Sequence, residues 1–523
     1  MKELELNCLT LEQKLGMVMT ANCLHSGDDF NFTLDLIRNH ALGSIWLLPD
    51  DPQFQKKMDA IHAAADYPIL IVTDAEGGLS RYKIGLHGTL GYINNPKLAY
   101  TFGRITGIAA RKMGYNLVCN PVIDIVQQNG PTSAPARSMG SSPERVAEYA
   151  VAMVRGMHDA GVLSMAKHYP GANSLRDTHM CEGLSDIDQD YLLDVCLMPY
   201  KALMKEGLLD SVMAGHTRIP SIDEQYPTSL SSTILNIIRN IGFDGMIMTD
   251  AMVMMGVVAK YGYYHCKGMA IAAGNDTILG WETSNKKDYD ALQKAYADGV
   301  ISETRLNDAV RHVLELQHKS TLLPMDAEIT EEDEKNFLSI LHDSIASVTD
   351  EGTPVSIDPM GKHCFVILEE NLGQSASNQT PSIDPTKGDW YDPNAIEERI
   401  HLRFPNSCVK RLNEFPTVMQ NLHFFDEQLS FEDVIYVTFA QGGAYVGTDH
   451  FTSKVLSVME ALQVTDRIST IVHFGNPFVL DETPHIPRRL MGGRNRETTL
   501  HAIDVLAGLA TANGRVPFKL NLA

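Results

Sequence analysis

The 523-residue sequence predicts a TIM-like (β/α)8 barrel followed by a smaller α/β domain. Three observations predict it. Short apolar runs alternate with helical patterns over about 300 residues, which is how buried parallel strands and their crossover helices read. Polar residues, Asp74, Asn120 with Asp124, Lys167 with His168, His216 and Asp250, fall within a few residues of the carboxyl ends of different strands. An open sheet would string them along an edge, whereas a closed barrel gathers them at one mouth. The strand pattern then resumes after a break at Leu322-Leu323-Pro324.

Taken in order, a helix opens at Thr10, because Thr10-Leu11-Glu12-Gln13 is a capping box with Leu11, Leu15 and Val18 at helical spacing. Strands are expected at 44–48, 69–72, 116–118, 163–166, 211–214, 246–248 and 277–279. No eighth barrel strand is legible. The segment from Gly299 to Lys319 reads as a capped amphipathic helix closing the barrel unit. These signals divide the chain into a barrel over 1–325, a linker and helix over 326–353, and a second domain over 354–523 with strands at 364–368, 434–437 and 469–472. The Ser, Pro and Asp-rich stretch Gln374 to Asn394 is expected to be a surface loop.

Composition narrows the function. Apolar residues make up 44% and charged residues 21%, so a real core can form. A net charge of −22 opposes a nucleic-acid backbone or an anionic membrane surface as the main partner. With no apolar run of about 18 residues and an acidic first segment, a cytoplasmic location is expected. Eight scattered cysteines without a C-x-x-C pair suggest reduced thiols. G-x-S-x-G, P-loop, H-E-x-x-H and G-x-G-x-x-G signatures are absent, as is the H-x-H pair of a metal-dependent amidohydrolase. No cofactor and no metal are expected.

Two segments carry chemistry. In Lys167-His168-Tyr169-Pro170-Gly171, two polar heads end a strand that should be buried, and they need a polar ligand or partner. The loop after it holds Asp177 and His179, whose side chains leave the same face of an extended backbone. A carboxylate on one imidazole nitrogen would fix the tautomer for proton transfer at the other; the alternative is an ordinary polar surface loop. In Met246-Ile247-Met248-Thr249-Asp250, three apolar residues run into a carboxylate mounted on a rigid strand, the place for a nucleophile. The alternative for Asp250 is a cap on the next helix.

These segments, with Asp74-Ala75-Glu76-Gly77-Gly78, Asn120-Pro121-Val122-Ile123-Asp124, Arg137-Ser138-Met139-Gly140, Val212-Met213-Ala214-Gly215-His216 and Pro227-Thr228-Ser229-Leu230-Ser231, resemble the family 3 glycoside hydrolases in their β-N-acetylglucosaminidase branch. Phe474-Gly475-Asn476-Pro477 and Gly514-Arg515-Val516-Pro517 resemble that family's carboxyl-terminal α/β sandwich. The resemblance implies a retaining, exo-acting hydrolysis of terminal β-linked N-acetylglucosamine from an amino-sugar oligosaccharide or glycoside. Asp250 would attack the anomeric carbon, and His179, oriented by Asp177, would serve as acid and then base. A neutral imidazole there adds no second negative charge beside the nucleophile. Asp74, Arg137, Lys167, His168 and His216 would bind the sugar or line its pocket. Two stretches differ from the branch. Ala172-Asn173 follows Pro170-Gly171 where His-Gly is usual, and Leu79-Ser80-Arg81-Tyr82 stands where Arg-Val-x-Arg is usual. Phosphorolysis and a sugar-binding relative without turnover are the competing readings.

Overall fold

The computed structural model describes residues 2–23, 27–126, 134–172, 174, 176–281, 284–369, 392–413, 415–440 and 450–522. The chain divides into two compact units. One comprises Met1–Tyr82, Ala99–Ile125 and Pro143–Asp333; the other comprises Lys83–Leu98, Val126–Ser142 and Glu334–Ala523. The expected division at 325 and 354 is contiguous and the observed one is not. The second unit takes in two early segments because their apolar side chains are buried there: Tyr92 packs in one cluster with Val366, Tyr436 and Met491. Such long-range burial leaves no local mark in composition.

The first unit is a closed barrel of eight parallel strands. In chain order they are β1 (Met19–Asn22), β2 (Ser44–Trp46), β3 (Leu70–Thr73), β4 (Leu117–Val118), β5 (Leu163–Tyr169), β6 (Ser211–Ala214), β7 (Met246–Ala251) and β8 (Thr277–Leu279). Each neighbours the next around the ring, and β1 closes on β8. All seven strands read from the sequence are present. The eighth is β1, Met-Thr-Ala-Asn, which has no apolar run yet is buried throughout. Its polarity is satisfied sideways: the Thr20 hydroxyl lies 2.6 Å from that of Ser44 on β2 and 3.0 Å from that of Thr277 on β8. A buried parallel strand is therefore not obliged to be apolar when its neighbours supply hydrogen bonds.

The helix before β1 spans Leu11–Met17 with both bonds of the Thr10/Gln13 capping box formed, and Val18 already lies outside it. The helix Glu303–Ser320 starts at Ser302, whose side chain accepts from the Arg305 N–H, and buries Leu306, Val310, Val313 and Leu316. These apolar positions recur every three to four residues, which makes one stripe facing the core.

The second unit holds a six-stranded sheet. Its strands are β9 (Ala346–Thr349), β10 (His363–Glu369), β11 (Cys408–Asn413), β12 (Asp433–Ala440), β13 (Ile468–Gly475) and β14 (Arg488–Gly492), in the order β9-β14-β13-β12-β10-β11. Only β9 is antiparallel to its neighbour. Successive side chains alternate between two apolar clusters: Cys364, Val366 and Leu368 join one, Phe365 and Ile367 the other. Helices Ser453–Val464 and Arg496–Leu506 contribute to opposite clusters, so the sheet is covered on both faces, an α/β sandwich. Strands β9, β11 and β14 escaped the sequence reading. Strand β11 is a half-exposed edge with Lys410 and Arg411, and β14 begins with two buried arginines. Strand β9 lies within the stretch expected to be linker. Of the loop expected from Gln374 to Asn394, residues 374–391 lie outside the described residues, and Pro393 already begins a helix.

His473 on β13 gives this unit a pH-dependent stability. It is buried; Nε2 donates to the Asn476 carbonyl at 2.8 Å and Nδ1 accepts from the Thr438 hydroxyl at 2.9 Å. Burial pushes it down to about 4, against the small opposing effect of the Asn476 carbonyl. The unfolded chain takes up this proton below its ordinary value of about 6.5, whereas the folded protein waits until about 4. Stability is thus full above pH 6.5 and falls as pH drops toward 4, by about 3 kcal/mol in the limit. Thermal melts at pH 7 and 4.5 should show this loss, and His473→Gln should show less of it. An unchanged pH slope in the variant would assign the loss elsewhere.

Candidate active site

Strand β7 ends at the site. Met246, Ile247, Met248 and Thr249 are buried, and Asp250 and Ala251 are half-buried at the carboxyl end. The apolar run anchors the strand, and the Thr249 hydroxyl accepts from the Leu279 N–H at 3.0 Å, tying β7 to β8. Asp250 Oδ1 accepts from the Ala251 N–H at 2.8 Å. Burial works to raise the Asp250 carboxyl. The fields of His168, His216 and His179, with that N–H, outweigh it and hold the group down at about 2. Asp250 is therefore an ionised carboxylate at any working pH, close enough to three histidines to feel each.

The loop after β5 carries Asp177 and His179. Asp177 Oδ1 receives both the His179 main-chain N–H at 3.0 Å and the ring Nδ1 at 2.7 Å. Asp177 is buried and His179 partly exposed. A carboxylate accepts only, so Nδ1 carries the proton and Nε2 is the nitrogen turned away from Asp177. The loop is tied to the segment just past Asp250. Gly256 N–H donates to the Thr178 carbonyl at 3.0 Å and Met255 N–H to the His179 carbonyl at 3.3 Å. These two bonds bring the Asp177–His179 loop and the end of β7 to one place. A Cβ on Gly256 would stand 2.9 Å from the carbonyl oxygens of both Thr178 and Cys181. Gly256→Ala should accordingly displace the His179 loop and lower kcat/KM about 10- to 100-fold. Steady-state kinetics on an aryl glycoside check this, and a value within twofold of wild type would show that the loop gives way harmlessly.

Lys167 and Asp74 meet. The buried Lys167 ammonium lies 3.0 Å from both Asp74 oxygens and 2.7 Å from Glu76 Oε1. The Asp74 side chain is 40% exposed against 2% for Lys167, so it is the carboxylate that can reach a ligand while the lysine fixes its direction. His168 pairs with Asp124: its N–H donates to Asp124 Oδ1 at 3.0 Å and its Nδ1 lies 2.8 Å from Oδ2. The segment carrying Asp124 runs beside β5, with Ile123 N–H donating to the Lys167 carbonyl at 2.7 Å.

Two expected residues differ in placement. His216 is buried with both ring nitrogens taken by protein groups, Ser229 Oγ at 2.7 Å and the Ala251 carbonyl at 3.1 Å, so neither nitrogen is left for a sugar. Arg137 stands in the second compact unit, on the short helix Ala134–Arg137, where its carbonyl pairs with His87 Nδ1 at 3.2 Å. Its expected part in sugar binding rests on the resemblance. In the altered stretch, Leu79 is buried and the Arg81 guanidinium lies 4.9 Å over the Tyr82 ring, bonding its hydroxyl at 2.7 Å.

Sequence reasoning passed over Glu76 and Ser229 as site residues, placed Asp124 at the mouth without a partner, and passed over Trp281, which lies just beyond the end of β8 and meets Trp46, the last residue of β2, edge to face at 5.6 Å. Glu76 and Asp124 carried a signal, an acid two or four residues beyond a polar strand end. Ser229 carried none, since its partner is thirteen residues away. Among the described residues one group, Asp276, Asp308 and His312, has the spacing of a metal site. Asp276 there already accepts Arg239 at 2.6 Å and also pairs with Arg305, cations that take the place of an ion.

The glycosyl hydrolase family 3 N-terminal domain matches residues 10–316. This chain belongs to glycoside hydrolase family 3. A β-hexosaminidase of Tolumonas auensis is 30% identical over 260 residues, covering 47% of this family 3 chain and 77% of the relative. The β-hexosaminidase LpqI of Mycobacterium bovis is 29% identical over 263 residues, covering 47% and 67%. A family 3 β-N-acetylglucosaminidase from a Paenibacillus strain superposes with a TM-score of 0.81 at 25% identity, covering 99% of this chain and all of that one. The β-glucoside phosphorylase BglX shares the fold, with a TM-score of 0.81 at 21% identity over 98% of this chain and 94% of its own. The matched residues 10–316 include Asp74, Lys167, His168, Asp177, His179, His216 and Asp250. Among the described residues no helix is long and apolar enough to cross a membrane.

Proposed function

We propose that this glycoside hydrolase removes terminal β-linked N-acetylglucosamine with retention of configuration, through a covalent glycosyl-enzyme on Asp250. The observation that carries the reading is the joining of an ionised carboxylate at the end of β7 to a loop whose His179 is held by Asp177 at 2.7 Å. In the first step an Asp250 oxygen attacks the anomeric carbon while the bond to the leaving oxygen breaks. The proton on His179 Nε2 passes to that oxygen, and Asp177 steadies the imidazolium beforehand. In the second step Nε2, now a base, takes a proton from water, the water oxygen bonds to the anomeric carbon, and Asp250 leaves. Two inversions give net retention. Asp74, directed by Lys167 and Glu76, is suited to a sugar hydroxyl, and His168, held by Asp124, to a neighbouring polar group.

A panel of 4-nitrophenyl β-glycosides, with and without phosphate, tests this. The expected result is release of free N-acetylglucosamine at a rate and with a product that phosphate leaves unchanged. Sugar 1-phosphate in phosphate buffer would establish phosphorolysis instead. Binding of N-acetylglucosamine without turnover of any glycoside would establish a sugar-binding relative.

A further inference from the structure

His216 is expected from the sequence to line the sugar pocket, yet its surroundings give it a different task. A carbonyl oxygen cannot donate, so the 3.1 Å contact from Nε2 to the Ala251 carbonyl requires the proton on Nε2. Nδ1 of the neutral ring then accepts from the Ser229 hydroxyl at 2.7 Å. Ser229 is buried and is itself held: its N–H donates to the Gly215 carbonyl at 3.0 Å and its carbonyl accepts from Asn275 Nδ2 at 2.7 Å. Burial pushes His216 below its ordinary value, against the opposing pull of Asp250 and the Ala251 carbonyl, which keeps the ring neutral at pH 7.

The bond reaches the residue next to the nucleophile. The Ala251 N–H is taken by Asp250 Oδ1 at 2.8 Å, and its carbonyl accepts both His216 and the Met254 N–H, the latter at 3.1 Å. The next N–H, of Met252, donates to the Leu279 carbonyl at 2.9 Å. The chain thus leaves β7 in a turn whose peptide planes are pinned from three sides, and Asp250 takes its direction from the first of them. Of these pins, apart from the Asp250 carboxylate itself, only His216 is a side chain that can be replaced without altering the main chain.

We infer that His216 is a positioning residue, a tautomer-locked imidazole that holds the Asp250–Ala251 turn and so aims the nucleophile, rather than a ligand of the sugar. The inference rests on Asp250 being the nucleophile. Near-attack geometry tolerates little error, and a misplacement of about 1 Å can cost 10²-fold. The loss should therefore fall on bond making and not on sugar binding.

The test measures two quantities on the full-length protein. One is the single-turnover rate of glycosyl-enzyme formation from a 2,4-dinitrophenyl N-acetyl-β-glucosaminide, a leaving group that needs no acid. The other is the equilibrium Kd for N-acetylglucosamine. His216→Leu should slow the first about 10- to 100-fold and leave Kd within twofold. His216→Gln, whose amide can donate to the same carbonyl, should recover part of the rate. Ser229→Ala, which only unlocks the tautomer, should show a smaller loss of the same kind and serves if the leucine variant does not fold. A raised Kd with an unchanged rate would overturn the inference and return His216 to the sugar ligands, and a wild-type rate in all three variants would also overturn it. Asp250→Asn is run in parallel: if it retains activity the nucleophile assignment fails, whereas a dead Asp250→Asn beside fully active His216 variants fails the present inference alone.

Discussion

Asp250→Asn is expected to abolish turnover, with kcat reduced by several powers of ten and the fold retained, because the change removes the attacking charge at nearly constant volume. The amide oxygen can still accept the Ala251 N–H that Oδ1 accepts at 2.8 Å, so the turn after β7 keeps its internal bond. What is lost is the negative charge that His168, His216 and His179 surround. The depressed carboxyl also fixes a sign. Held at about 2, Asp250 is ionised throughout the range above pH 4, so any activity lost between pH 7 and 5 belongs to other groups. Steady-state rates and a thermal melt of the variant decide the first point. Activity within about tenfold of wild type would remove Asp250 from the role of nucleophile.

His179→Ala should act unequally on different substrates. A dinitrophenyl leaving group departs without a proton, so kcat/KM for its glycoside should fall little, while a sugar leaving group should lose about the 10²- to 10⁴-fold typical of acid/base help. Water attack still lacks its base, so the glycosyl-enzyme should accumulate with the dinitrophenyl substrate and appear as a burst of phenolate followed by a slow steady state. Asp177→Ala should show the same pattern more weakly, since it removes the acceptor that holds Nδ1 at 2.7 Å and leaves the imidazole in place. Equal losses on both leaving groups would mean that His179 shapes its loop and moves no proton.

The barrel, the carboxylate at the end of β7 and the pairing of Asp177 with His179 were legible because each depends on local order. A strand such as Met246-Ile247-Met248-Thr249-Asp250 announces itself by apolar residues meeting a charge, and Asp177 and His179 lie two residues apart, near enough to pair; they do so across a turn, with the Met180 and Cys181 N–H groups donating to the Asp177 carbonyl, and not along the extended backbone expected. Residues paired across the fold had no such mark. Strand β1 has its hydroxyl partners on β2 and β8, and the turn after Asp250 is held by His216, which is held by Ser229. His216 by itself reads as one more polar head at a strand end. Whether such a head serves a ligand or the protein depends on which acceptors lie within about 3 Å. Thus the sequence determined the barrel, its polar strand ends and the family, and it named Asp250, His179 and Asp177 as the candidates for making and breaking bonds. The tertiary structure decided which way those groups are turned, because the hydrogen bonds that turn them join strands far apart in the chain.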